Sequence, residues 1–133
     1  MAELNQKSVL VVDSDEAILA NISNGLKKRG MIVITAPDGY EGYLRACQEK
    51  PQVVIANDVL PSISGYKISR LLKFDVRYKQ IQVIIMSSSS GANTEKVFSQ
   101  SGADKLLSKP FKFKEILGLI QESINWTRLL TLH

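Results

Sequence analysis

The chain has 133 residues, 17 of them Lys or Arg and 13 Asp or Glu, for a net charge of +4, with 44% hydrophobic and 23% charged residues. That length fits one domain with a real core and is too short for two, and the composition is ordinary for a soluble globular protein. No apolar run is long enough to span a bilayer and no basic-then-apolar leader opens the chain, so a cytoplasmic location is expected. Cys47 is the only cysteine, which excludes an internal disulfide; its helical, partly apolar setting predicts a small packing residue rather than a reactive thiol.

Strands and helices alternate five times. Ser8 to Val12 is a short apolar strand. Asp15 is placed to cap a helix running to about Arg29, stopped by Gly30, with Ile18, Ile22 and Leu26 as its apolar stripe. Met31 to Ala36 is a second strand, and Asp38-Gly39 opens a second helix through Gln48. Val53 to Asn57 is a third strand, followed by a helix from Ser64 to about Phe74 with Ile68, Leu71 and Leu72 inward. Ile81 to Met86 is a fourth strand, then comes the polar loop Ser87-Ser88-Ser89-Ser90-Gly91 and a weak helix to Gln100. Leu106 and Leu107 mark a fifth strand, and Phe113 to about Asn125 the last helix. Residues 1–125 are thus read as the domain and 126–133 as a C-terminal tail or helix extension, in which Trp126, Leu129, Leu130 and Leu132 offer an apolar face.

Such alternation predicts an α/β fold, a parallel sheet with right-handed crossovers and helices on both faces. Ligands of these sheets sit beyond the carboxyl ends of the strands, where Asp13, Asn57 and Ser87 all fall. Lys67, Arg70, Lys73, Arg77 and Lys79 gather along the third helix and its exit. A solvated helix face is the expected reading; nucleic-acid binding through this Lys67–Lys79 face is the alternative.

Four motifs in order resemble the response-regulator receiver domain over roughly residues 7 to 125. Val11-Val12-Asp13-Ser14-Asp15 is similar to the strand-end acidic pair, with Ser14 in place of the second acid. Asn57, bracketed by Pro51 and Pro61, stands where the family carries its phosphoacceptor aspartate. Ser87 matches the hydroxyl residue that bonds the phosphoryl group, and Lys109-Pro110-Phe111 matches the Lys-Pro-Phe signature, in which the peptide before proline is typically cis. The resemblance implies a flavodoxin-like (βα)5 sheet of strand order 2-1-3-4-5. It also implies a signalling module rather than an enzyme, serving a bacterial two-component system or phosphorelay.

The family site works by charge balance: three carboxylates hold Mg²⁺, which neutralises the incoming phosphoryl oxygens. Here only Asp13 and Lys109 remain as charges, so the pocket is expected to be neutral without metal, with Lys109 on Asp13 and Asn57 bridging by its amide. Asp13 and the Val59 carbonyl are the weak metal candidates left, and no cofactor is expected unless the protein is a conventional regulator needing Mg²⁺. Asp58 is the alternative acceptor, although strand alternation should turn it away from the pocket. Leu106 stands at the position of the family's aromatic switch residue. The resemblance assigns partners (a kinase, an output domain or a second copy) to the face formed by the fourth helix, fifth strand and fifth helix. Phosphorylation-independent action by protein contact is therefore the expected function, with a conventional phosphorylated regulator and nucleic-acid binding as alternatives.

Overall fold

Runs of Val, Ile, Leu and Ala that are buried on both faces build the centre of the molecule, which a computed structural model describes over residues 4–131, with side chains through residue 125. The strands are β1 (Ser8–Val12), β2 (Ile32–Ala36), β3 (Val53–Asn57), β4 (Gln82–Ser87) and β5 (Lys105–Ser108). They form one parallel sheet in the order β2-β1-β3-β4-β5. The helices are α1 (Glu16–Lys27), α2 (Gly39–Glu49), α3 (Gly65–Lys73), α4 (Ala92–Ser101) and α5 (Phe113–Thr131). This is the flavodoxin-like arrangement that the receiver-domain resemblance implied.

Alternation along each strand divides the core in two. Val9, Val11, Val53, Ile55, Ile84, Met86 and Leu107 pack with Ile22 and Leu26 of α1 and Ile116, Ile120 and Ile124 of α5. Leu10, Val12, Val54, Ala56, Val83 and Ile85 pack on the other face with Ala46 of α2 and Ile68 and Leu72 of α3. Side chains that continue these strands past their ends inherit the same two faces.

Local chemistry explains the helix boundaries. The Asp15 carboxylate accepts from the Ala17 and Ile18 N–H groups, the Asp38 carboxylate from Glu41 N–H, and the Ser64 hydroxyl from Lys67 N–H. By contrast α4 starts at Gly91 with no side-chain cap, in keeping with the weak helical signal of that segment. Cys47 is free and half-buried, packed with Tyr43 against the second cluster, as a packing residue should be.

Three details differ from the sequence reading. Leu71 is only half-buried, while Ser69 is buried and donates its hydroxyl to the Ser101 carbonyl at 2.9 Å, tying α3 to the end of α4. β4 runs one residue further, through Ser87, because its backbone stays paired with β5 there. Helix α5 continues past Asn125 to Thr131; the side chains of Trp126, Leu129 and Leu130, and all of Leu132 and His133, lie outside the described residues.

Gly65 is the tightest joint near the sheet edge. A Cβ there would run into the Asn57 carbonyl oxygen and approach the Ala56 side chain, so α3 can begin against the end of β3 only if this residue has no side chain. Gly65→Ala is expected to lower stability by about 1–3 kcal/mol, the usual range for overpacking. Urea denaturation checks this, and a loss well below that range would mean α3 shifts without strain.

Candidate functional site

Strand register sets which of the end residues meet. Val12 lies opposite Ala56, and Asn57 opposite Met86, so Asp13 and Asn57 continue the face that packs on α1 and α5. Ser87 lies opposite Ser108, and one step further Lys109 N–H bonds the Ser87 carbonyl at 2.8 Å. Asp58 N–H bonds the Met86 carbonyl at 2.8 Å, which extends the β3–β4 pairing and sets Asp58 beside Ser87.

On the α1/α5 side, the Lys109 ammonium meets Asp13 Oδ2 at 3.2 Å, and the other Asp13 oxygen accepts from Asp15 N–H at 2.9 Å. Asp13 is 2% exposed and the Lys109 side chain 17%, so the pair is largely shielded from water. The pairing expected between these two residues is formed. Asn57, however, does not bridge it: its amide donates to the Val59 carbonyl at 2.9 Å. The reason is local, since the chain turns just after β3 and brings a carbonyl two residues on within reach of the amide. Ser14, next to Asp13, is exposed.

On the α2/α3 side, the Ser87 hydroxyl donates to Asp58 Oδ2 at 2.7 Å and accepts from Ser89 N–H at 3.0 Å. Val59 N–H donates to Asp58 Oδ1 at 2.8 Å, so both carboxylate oxygens are engaged. Asp58 does not stand apart from all the predicted site residues; it holds one of them. The alternation that separates Asp58 from Asn57 also carries Ser87 to Asp58's side. The Tyr66 hydroxyl is buried in this region, close to Ser87 and Asp58. Burial pushes Tyr66 above the ordinary tyrosine range; the Ser87 hydroxyl opposes that shift and the Asp58 charge adds to it.

Leu106 is half-buried against the second core cluster. The Lys109–Pro110 peptide is cis, as the Lys-Pro-Phe signature implied.

A magnesium site needs several hard oxygen donors in octahedral array. The donors here do not fit it. Asp13 is already neutralised by Lys109, and the Val59 carbonyl already accepts the Asn57 amide. Among the described residues, no three His, Cys, Asp or Glu side chains gather where they could share a metal.

The basic face is smaller than its sequence suggests. Lys73 Nζ donates to Asp104 Oδ2 at 2.9 Å and to the carbonyls of Lys79 and Ile81, each at 3.0 Å. Its side chain is 12% exposed, which makes it a tie between α3 and the start of β5 rather than a surface charge. Arg77 pairs with Asp75 at 2.8 Å. Lys67, Arg70 and Lys79 remain exposed. Sequence reasoning missed the Lys73–Asp104 tie, because nothing in the spacing of residues 31 apart signals it.

Comparison with known proteins agrees with this fold. Residues 9–121 match the response regulator receiver domain, and the chain belongs to that family of two-component signalling domains. It is 31% identical to protein PilG of Pseudomonas aeruginosa over 116 residues, covering 87% of this chain and 86% of PilG. It is 32% identical to the alkaline phosphatase synthesis transcriptional regulatory protein PhoP of Bacillus subtilis over 111 residues, 83% of this chain but only 45% of PhoP. The CheY-like receiver domain protein of Methanospirillum hungatei superposes with a TM-score of 0.86 at 22% identity, covering 93% of this chain and 98% of that one, a likeness of fold. No helix among the described residues is long and apolar enough to cross a membrane.

The shielded ion pair gives a direct test of the site. Lys109→Met leaves Asp13 buried without its counter-charge and is expected to destabilise the domain by about 1–3 kcal/mol. Pairing it with Asp13→Asn should recover much of that loss in a double-mutant cycle. Additive losses would show that the two groups do not interact in solution.

Proposed function

We propose that this receiver domain signals without phosphorylation, by protein–protein contact. The observation that carries the reading is the state of residue 57: an amide stands at the acceptor position, and it donates to the Val59 carbonyl. A carboxamide has no anionic oxygen with which to form an acyl phosphate. The neighbouring ion pair supports the same conclusion, since Lys109 neutralises Asp13 with no cation required. The partner is a signalling protein, a kinase, output domain or second copy, meeting the face of α4, β5 and α5. That assignment rests on family resemblance, as does Leu106 as the switch position. The domain thus acts by binding rather than as an enzyme, takes no cofactor, and works in the cytoplasm.

A second reading draws on the Ser87–Asp58 hydrogen bond at 2.7 Å. It makes Asp58 the acceptor of a conventional regulator, because the hydroxyl residue expected to hold a phosphoryl group lies on this carboxylate. The first reading is preferred because both Asp58 oxygens are engaged in hydrogen bonds and no Lys or Arg among the described residues forms an ion pair with Asp58. On the basic face Lys73 and Arg77 are engaged with Asp104 and Asp75, and the three remaining exposed cations, Lys67, Arg70 and Lys79, are too few to favour nucleic acid.

Millimolar Mg²⁺ should leave the melting temperature unchanged; a ligand at a hundredfold excess over its dissociation constant would add about 2.7 kcal/mol. A rise reversed by chelator would overturn the metal-free reading. Incubation with acetyl phosphate and Mg²⁺ should give no phosphoryl adduct in the intact-mass spectrum, and an adduct mapped to Asp58 would establish the second reading instead. Asn57→Asp combined with Ser14→Asp places three carboxylates together and should restore Mg²⁺ binding and labelling at residue 57. Without metal that variant should melt below the parent, because like charges at close range resist joint ionisation.

A further inference from the structure

A cavity of about 560 Å³ opens beside Lys109, between α1 and the segment joining β5 to α5. It is lined by Ile18, Ile22, Pro110, Phe111 and Phe113 together with the polar residues Asn21, Ser88 and Lys109. Both the volume and the make-up, a mostly apolar lining with a few polar residues, match small-molecule pockets, which run from roughly 300 to 1,000 Å³. The walls are well fixed. Ile22 is buried in the core, and the Phe113 ring lies so close to Gly25 that a Cβ there would collide with it. The Arg29 guanidinium sits 4.9 Å from the centre of the same ring.

The polar end selects the chemistry of an occupant. An ammonium has three N–H donors. That of Lys109 has one side-chain acceptor among the described residues, Asp13 Oδ2, so it can still donate to a ligand. Lys109 and Asp13 together are neutral and largely shielded. A carboxylate drawn to the ammonium would also approach Asp13 and leave an uncompensated negative charge. An uncharged carbonyl oxygen accepts from the ammonium without that penalty.

We propose that this cavity binds an uncharged amphiphile, a ketone, lactone or amide with an aliphatic body. Its carbonyl oxygen accepts from Lys109 Nζ, and its chain lies along Ile18, Ile22, Phe111 and Phe113. The assignment uses only the cavity and the Lys109–Asp13 pair, and so goes beyond the question of phosphorylation.

The test is a titration of the full ¹⁵N-labelled chain with γ-decalactone and, separately, with decanoate. The lactone should produce saturable shifts confined to the amides of Ile18, Ile22, Ser88 and Phe111 and their neighbours. Decanoate should bind about tenfold more weakly, as repulsion between like charges at a partly solvated site requires. Asp13→Asn leaves Lys109 unneutralised and should reverse the order, so that decanoate binds more tightly than the lactone. Ile18→Glu, at a half-buried helix position lining the cavity, should abolish saturable lactone binding while the spectrum stays that of the folded domain. Shifts that never saturate or that spread over the whole surface would overturn the proposal. So would tighter binding of decanoate to the parent chain, or a concentration-dependent dimer that perturbs these same amides.

Discussion

Each strand of the parallel sheet sends alternate side chains to opposite faces, and the five strands are aligned so that the residues just past their carboxyl ends fall into two groups. Asp13, Asn57 and Lys109 belong with the face covered by α1 and α5, Asp58 and Ser87 with the face covered by α2 and α3. Most of the chemistry described above follows from that division. It lets Lys109 reach across from the end of β5 to Asp13 at the end of β1. It also gives the Ser87 hydroxyl a carboxylate partner on its own side, away from Asn57.

Electrostatics then stabilises the arrangement in the absence of metal. A carboxylate as buried as Asp13 is costly unless it is paired and hydrogen-bonded, and both conditions are met, by the ammonium of Lys109 and the N–H of Asp15. With three carboxylates in the same space the balance would be different: two would lack a counter-charge, and a bound cation or protonation of one of them would have to relieve their repulsion. Asn57 and Ser14 remove that requirement. Replacing an anion by an amide at residue 57 also turns an acceptor into a donor, and the Val59 carbonyl, an oxygen suited to ligating a cation, takes that donor instead.

The fold was legible in the sequence because its signals are local and redundant. Apolar runs of five residues, caps at Asp15, Asp38 and Ser64, and a stop at Gly30 each point to the same alternation. Asp13 and Lys109 were legible as a pair because they are the two charges left among motifs of known spatial order. The partner of Ser87 was not. Strand alternation turns Asp58 away from Asn57, but no motif relates Asp58 to Ser87, which lies on a different strand. Lys73 and Asp104 escaped for a different reason, since two surface-type residues far apart in sequence give no pattern until the sheet brings them together. The cavity beside Lys109 depends on how the side chains of α1 stand against the β5–α5 segment, a matter of tertiary packing that periodicity does not encode.

The scaffold does not depend on the acidic site, and the joints around it show why. Gly65 admits the start of α3 against the Asn57 carbonyl, and Gly39 admits the start of α2 against the Ile63 carbonyl; in both places shape decides, not charge. The loop after β3 is held by backbone bonds, Gly65 N–H to the Asp58 carbonyl and Gly39 N–H to the Pro61 carbonyl, each at 3.0 Å. None of these contacts involves the side-chain charge at residue 57 or residue 14. On the reading proposed above, an aspartate at residue 57 gives way to asparagine with little cost to folding, and what such a change removes is the coupling of the loop to a phosphoryl group. The surfaces that the same backbone presents to other molecules stay in place.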